Sequence, residues 1–373
     1  MGNIDPNAIL KALRTIGRND KLRAQFLSVI RDVERSLEYT DASIRDEITG
    51  PIIDALHGGE QVYRRRLRSG IVLDFYYRSK IARDFVMCDP ERPDHVWEPQ
   101  TTKLLMYLST RAKNVIVGGA YFGDQAILVA KRIARNGGIC HAFEPDYVQS
   151  QMLVHNAALN GLDNIKVIRM GLWSDNISTL TLVGEDAEAH SAPVTEPTAT
   201  TQSSTFGATT VDSYLSRNGI EAVDLIMLDI EGGEYEALQG ANGQLSLPVG
   251  RAPDVVFEIH RNYVDWTAGL QNTDIVKYLS ALGYKLYAIR DFHSNYDMRG
   301  KPIELIPPES TYLEGPPHGF NMLAVKNPSV VDSKHFRICR DVSPKLLLHK
   351  DPRLHHPVDG LTHRSRRRGI EHR

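Results

Sequence analysis

The sequence predicts an α/β protein built on a doubly wound, mostly parallel sheet. Short apolar runs alternate with helical repeats from about residue 114 to residue 325, the pattern of strands joined by crossover helices. The run Asn114-Val-Ile-Val-Gly-Gly-Ala-Tyr-Phe-Gly123 enters a cluster of glycines, and a helical pattern leaves it at Asp124. A second run, Gly138-Ile-Cys-His-Ala-Phe143, ends in Glu144, 21 residues after Gly123. A strand, a tight turn and a helix start mark the place where such sheets hold a nucleotide-like cofactor. An acid at the tip of the next strand is placed to accept hydrogen bonds from ribose hydroxyls.

The elements follow in order. The first ~70 residues read as helices. Asp5 is an N-cap with Pro6 in the first turn; Ile9, Leu10, Leu13 and Ile16 share a face, and Gly17 ends the helix. Leu22, Phe26, Val29, Val33 and Leu37 mark a second helix, and a third spans about 41–56. Residues 71–77 are aromatic and strand-like. Trp97-Glu98-Pro99-Gln100 leads into a helix carrying Leu104, Leu105 and Leu108. Seven strands are then expected at 114–118, 138–143, 165–170, 223–228, 254–259, 284–289 and 320–325. The helix after the first strand carries Ala126, Ile127, Val129, Ala130 and Ile133. The helix before the sixth carries Ile275, Val276, Leu279 and Leu282.

Three regions result. Residues 1–100 form a helical N-terminal region, assigned to covering a substrate cleft or to oligomerisation. Residues 101–330 form the cofactor-binding domain, with a flexible insertion at 184–205, where Ala, Thr, Ser, Pro and acids follow no period. Residues 331–373 form a C-terminal extension, basic and flexible from about 350, with Arg366-Arg-Arg368 near its end.

Composition is that of an ordinary globular chain, 42% hydrophobic and 24% charged. No apolar run approaches the roughly 18–20 residues of a membrane span, and the N-terminus lacks a basic-then-apolar secretion pattern. A net charge of −2 gives no field that would recruit nucleic acid. Cys88, Cys140 and Cys339 are too far apart for a metal knuckle and odd in number, which fits a reducing cytoplasm.

The order Gly118-Gly119-Ala-Tyr-Phe-Gly123 is not the Gly-x-Gly-x-x-Gly of dinucleotide sites, because position 120 is Ala. Tyr121 and Phe122 would crowd a pyrophosphate. S-adenosylmethionine has no phosphates, so the sequence favours it. The chain resembles the FkbM family of S-adenosylmethionine-dependent methyltransferases over about 100–327. The matching pieces are Gly119-Ala-Tyr-Phe-Gly123, Phe143-Glu-Pro145, Asn156-x-x-x-Asn160-Gly-Leu-x-Asn164, Gly171-Leu-Trp-Ser-Asp175, Thr210-Val-Asp-Ser-Tyr214 and Leu228-Asp-Ile-Glu-Gly-Gly-Glu234. The resemblance implies a class I methyltransferase fold, Rossmann-like and seven-stranded. It also implies methyl transfer to acceptors such as sugars or specialised metabolites. In one place the chain departs from the pattern: where the family usually has an acid in the first strand, Val117 stands.

Gly119, Ala120, Gly123 and Asp124 are the candidate turn around the cofactor, with Asp124 the substitute for the missing acid. Glu144 is the ribose acid. Trp173 is placed either to stack on adenine or to sit in the core. Asp229 ends the fourth strand, where open α/β sheets bind ligands, and is expected to contact the methionine moiety or the substrate hydroxyl. Of Glu231 and Glu234, one is expected to be structural, favoured near a helix N-terminus, and Glu231 is the functional candidate. His260, at the tip of the fifth strand, is the candidate general base, since an imidazole titrating near ~6.5 can accept a hydroxyl proton. Glu258, two residues earlier, shares its face. Asp229, Glu258 and His260 offer metal ligands, but their spacing is no dedicated motif and no metal is expected. The connection 291–318, with His293, Tyr296, Asp297, Tyr312 and His318, is read as a lid.

The expected function is O-methylation of a small-molecule hydroxyl, with no membrane or nucleic-acid partner and with homo-oligomerisation through the N-terminal helices. Two alternatives stand beside it: a cofactor-binding protein without catalysis, favoured by Val117, and a nicotinamide-dependent oxidoreductase, disfavoured by the glycine order.

Overall fold

The computed structural model describes residues 5–36, 44–88, 91–183, 190–193, 205–292, 294–313 and 319–346. In the N-terminal region α1 (Pro6–Gly17) starts where the Asp5 carboxylate accepts the Asn7 N–H. It is followed by α2 (Asp20–Ser36), then a π-helical turn, Ile44–Thr49, running into α3 (Gly50–Leu56). A hairpin of β1 (Val62–Arg66) and β2 (Val72–Tyr76) comes next, then α4 (Lys80–Val86) and α5 (Pro99–Leu108). The domain continues through β3 (Asn114–Gly118), α6 (Ala126–Ile133), β4 (Ile139–Phe143), α7 (Tyr147–Leu159) and β5 (Ile165–Ile168). Four short strands, β6 (Gly171–Leu172), β7 (Thr179–Val183), β8 (His190–Pro193) and β9 (Thr205–Thr209), form a separate small sheet. After these come α8 (Val211–Arg217), β10 (Leu225–Leu228), α9 (Glu234–Gln239), α10 (Asn242–Leu245), β11 (Asp254–Ile259), α11 (Asp274–Ala281), β12 (Lys285–Ile289) and β13 (Asp291–Phe292). The chain closes with β14 (Ile303–Ile306), β15 (Phe320–Val325), β16 (Phe336–Ile338) and β17 (Lys345–Leu346).

The main sheet runs β16-β14-β12-β15-β11-β10-β3-β4-β5. All seven expected strands are present, in the order third, second, first, fourth, fifth, seventh, sixth. The seventh, β15, lies antiparallel between β11 and β12, and its start therefore returns to the edge where β11 ends. The expected count of seven is corrected to nine among the described residues: β14 and β16 extend the sheet beyond β12. The central strands are buried on both faces, which is why they read as unbroken apolar runs rather than alternating ones. One face packs α5, α6 and α7 together with the N-terminal region; the other packs α8 to α11.

Three expectations about segments change. The N-terminal region is not wholly helical, since β1 and β2 form a hairpin, and it shares one continuous core with the sheet. The connection 291–318 does not simply hang over the site: β13 and β14 tie it to β17 and β12. Within the insertion, residues 190–193 pair with β7. Its stretches 184–189 and 194–204, together with His293, His318 and the tail from 347 with its arginine run, lie outside the described residues. Among the described residues no helix is long and apolar enough to cross a membrane.

The N-terminal hairpin docks on α7 through two asparagines one helical turn apart. The Asn156 side chain accepts the Asp74 N–H at 2.8 Å and donates to the Asp74 and Phe122 carbonyls at 2.9 and 2.8 Å. Asn160 accepts the Val72 N–H at 2.9 Å and donates to the Val72 carbonyl at 2.7 Å. Asn164, the third asparagine of the motif, donates to the Ala130 and Gly138 carbonyls, both at 2.9 Å. Phe75 stacks on Phe122 in the glycine turn, with ring centroids 5.6 Å apart. The asparagine motif is therefore architectural. Asn156 is fully buried, and its truncation strands one N–H and two carbonyls away from water. Asn156→Ala is expected to lower stability by about 3 kcal/mol, at ~1–3 kcal/mol for an orphaned buried group. Urea midpoints at unchanged slope check this; a loss under about 1 kcal/mol would mean that the hairpin is held by its apolar contacts alone.

Candidate active site

The ends of β3, β4, β10 and β11 meet at one edge of the sheet. Gly119 enters the turn after β3 with φ 72°, and a Cβ there would lie 1.7 Å from the Asp229 carbonyl oxygen. Only glycine allows this approach. The Gly119 and Ala120 N–H groups both donate to the Phe143 carbonyl at 3.1 Å. Tyr121 is left-handed too, at φ 46°, and its N–H donates to the Glu144 carboxylate at 2.7 Å. The other Glu144 oxygen accepts the Asp146 N–H at 2.9 Å. Gly123 has φ 96°, and a Cβ there would strike Leu153 and Ile127, so its role is helix packing. The candidate ribose acid is thus also the clamp of the turn. Burial pushes Glu144 up to about 7.

Asp124 and Asp229 are both partly exposed and lie near enough for the charge of Asp229 to act on Asp124. Burial, then the charge of Asp229, raises Asp124 to about 7; burial raises Asp229 to about 6. Val117 lies in the core and offers no acid. Glu98, which the sequence did not single out, joins the cluster from the start of α5. It has φ 45°, is 4% exposed and lies 3.4 Å from the Gln125 amide. Burial and then the charges of Asp229, Asp291 and Asp124 hold it well above the usual carboxylate range. Asp291 is structural: its carboxylate accepts the Gln100 and Thr101 N–H groups at 2.9 and 2.6 Å, capping α5.

In the loop after β10, the Glu234 carboxylate accepts the Ile230 and Gly232 N–H groups, each at 2.9 Å, and is the structural glutamate of the pair. Glu231, at φ 54°, is carried to the other side. Carboxylate oxygens of Asp229, Glu231 and Glu258 lie within 4.8 Å of one another. Glu258 is 8% exposed, and burial followed by the charges of Asp229, Glu231, Glu234 and Glu98 raises it strongly. Lys345, on β17, reaches the same place: burial lowers it to about 7, opposed by Glu258 and Glu98. His260 is half-buried, and its Nδ1 accepts the Asn262 N–H at 3.0 Å. The neutral ring therefore carries its proton on Nε2. Trp173 packs with Leu180 and Ala208 in the small sheet and against Gly233. Of the two placements open to it, the core one describes its surroundings.

The strand order, with its antiparallel seventh strand, is that of a class I methyltransferase sheet. Residues 118–286, just under half of the chain, match the family model of the methyltransferase FkbM domain, which supports an S-adenosylmethionine-dependent methyltransferase. No curated protein matches the sequence. Among solved structures, the chain is similar to methyltransferase FkbM from Methylobacillus flagellatus KT, at 15% identity and a TM-score of 0.34, over 57% of this chain and 44% of that one. The match thus spans less than half of the Methylobacillus protein. M. jannaschii TYW2, solved in complex with AdoMet, aligns at 12% identity and a TM-score of 0.34, over 72% of this chain and 86% of that one. The Pyrococcus abyssi tRNA (uracil-54, C5)-methyltransferase, solved with S-adenosyl-L-homocysteine, aligns at 11% identity and a TM-score of 0.33, over 72% and 45%.

The acids give the site a pH dependence. Ribose hydroxyls and a cofactor ammonium both favour ionised carboxylates, and Glu144 and Asp124 ionise near 7 in the free protein. Affinity for S-adenosylhomocysteine is expected to be about tenfold lower at pH 6 than at pH 8. Calorimetric titration reads this directly, and Glu144→Ala should abolish micromolar binding. Equal affinities at the two pH values would remove these acids from the binding site.

Proposed function

We propose that the chain methylates a hydroxyl of a small molecule, a sugar or a specialised metabolite, using S-adenosylmethionine. One observation carries this reading: Glu98, Asp124, Asp229, Glu231 and Glu258 gather at the strand-end edge beside the Glu144 turn. A cluster of acids at one edge favours a cationic ligand, and the residues fit one bearing an ammonium and a sulfonium. When bound, S-adenosylmethionine supplies an electrophilic methyl group on a positively charged sulfur.

The chain's residues then divide the work. Glu144 holds the ribose, while Asp124, Asp229 and Glu98 hold the amino end. Val117 favours the reading of a binding protein without catalysis, but Glu98 brings an acid to the cluster from another element. Acceptor alignment at the methyl carbon is the main contribution to rate, and the acceptor's proton must leave as the bond forms. In the geometry of the free protein, His260 presents Nε2–H and is a donor. Its role as base requires the ring to turn over, or to exchange the Asn262 N–H for the acceptor's proton.

The N-terminal region would shape the acceptor side, since the Tyr121 hydroxyl donates to Ser79 at 3.3 Å, at the start of α4. Ile9, Leu10, Leu22, Val29 and Val33, each at least 40% exposed, offer the helices a self-association surface. A cytoplasmic location fits three unpaired cysteines, and neither a membrane nor a nucleic acid is proposed as partner.

Release of S-adenosylhomocysteine, measured over a panel of hydroxylated small molecules, tests the reaction; cofactor binding with no turnover on any acceptor would favour the non-catalytic protein. His260→Ala is expected to lower turnover by about 10²–10⁴-fold while sparing cofactor affinity. Unchanged turnover would dismiss His260 as base.

A further inference from the structure

The carboxylates of Asp229, Glu231 and Glu258 converge from two adjacent strand ends, with one oxygen of each within 4.8 Å of the others. That spacing lets all three oxygens face one small ion. An independent observation lies on the neighbouring strand. Asn321 pairs directly opposite Glu258 in the antiparallel ladder of β11 and β15, so the two side chains point to the same face. Asn321 is 1% exposed; its amide interacts with the Glu98 carboxylate, and its Oδ1, the atom an ion would take, has no hydrogen-bond partner. Glu258 Oε2, at a residue 8% exposed, has none either. A buried amide oxygen left unsatisfied beside a buried carboxylate is unfavourable unless something occupies the space between them. Glu258 is held in place from behind: a Cβ at Gly319 would stand 2.0 Å from its Oε1 and 3.0 Å from His260 Cδ2.

We propose that Asp229, Glu231 and Glu258, with Asn321 as a neutral oxygen ligand, form a binding site for a divalent cation. The donors are all oxygens, which selects a hard ion such as Mg²⁺, Mn²⁺ or Ca²⁺ over Zn²⁺ or copper. The site borders the cofactor pocket through Asp229, while Glu231, Glu258 and Asn321 lie outside the residues assigned to the cofactor. Its use rests on the methyltransferase reading: an acceptor hydroxyl bound to such an ion, beside His260, is positioned and made more acidic.

The test uses the full chain and Mn²⁺ alone, without S-adenosylmethionine, followed by electron paramagnetic resonance of the free ion. One Mn²⁺ per chain is expected, with affinity at least tenfold weaker in both Glu258→Gln and Glu231→Gln. Melting curves report whether each variant is folded; if Glu258→Gln is not, Glu231→Gln, at a partly exposed position, decides. Absence of bound Mn²⁺ at about 1 mM, or equal affinity in the folded variants, would overturn the proposal. S-adenosylhomocysteine binding measured on the same samples separates the two claims. Mn²⁺ bound without it would leave the ion site standing and remove the methyltransferase use, and the converse would remove the ion site alone.

Discussion

The close approach of Gly119 to the Asp229 carbonyl sets the geometry of the whole edge. With any side chain at 119 the two strand ends would have to separate. The same turn places two consecutive N–H groups on the Phe143 carbonyl and a third on Glu144. β3, β4 and β10 are thereby locked to one another beyond the sheet, where the ladder no longer does it. This rigidity allows a cluster of acids to exist there at all. Flexible carboxylates would move apart and take up water, whereas these are held by backbone donors and core packing.

That packing is also why the acids titrate so high. Glu98, Asp124, Glu144, Asp229 and Glu258 are raised first by burial and, in all but Asp229, then by neighbouring charges. Buried like charge favours a positively charged ligand, the kind of ligand proposed above. Glu234 and Asp291 belong to the same acidic environment but spend their oxygens on N–H groups of the loop and of α5. Nearness to the edge does not by itself make an acid a binding group.

The seven sheet strands, their order and the acids at three of their tips were legible because each rests on local signals: apolar runs, glycines, and an acid one step past a strand. What escaped depended on distant pairing. β1 carries Arg64, Arg65 and Arg66 and has no strand-like composition; it is a strand because β2 is its partner. Glu98 precedes Pro99, and nothing in that dipeptide shows a left-handed backbone aimed at Asp229. Asn321 and Lys345 reach the site from strands whose neighbours are set by the antiparallel return of β15 and by the pairing of β17 with β13. His260 was legible as a strand-tip histidine, but its tautomer was not, because that depends on the Asn262 N–H.

The asparagine pair on α7 has a consequence for the hairpin's fate outside this fold. Val72 and Asp74 present their N–H and C=O groups on the side of β2 away from β1, the side on which another strand could add. A two-stranded ribbon with such a border is a template for pairing between molecules. Here two side-chain amides, spaced by one helical turn, satisfy the groups that a third strand would use. The helix thus finishes the ribbon as a strand would, and what protects the protein from edge-to-edge association is a pair of carboxamides rather than charge or proline.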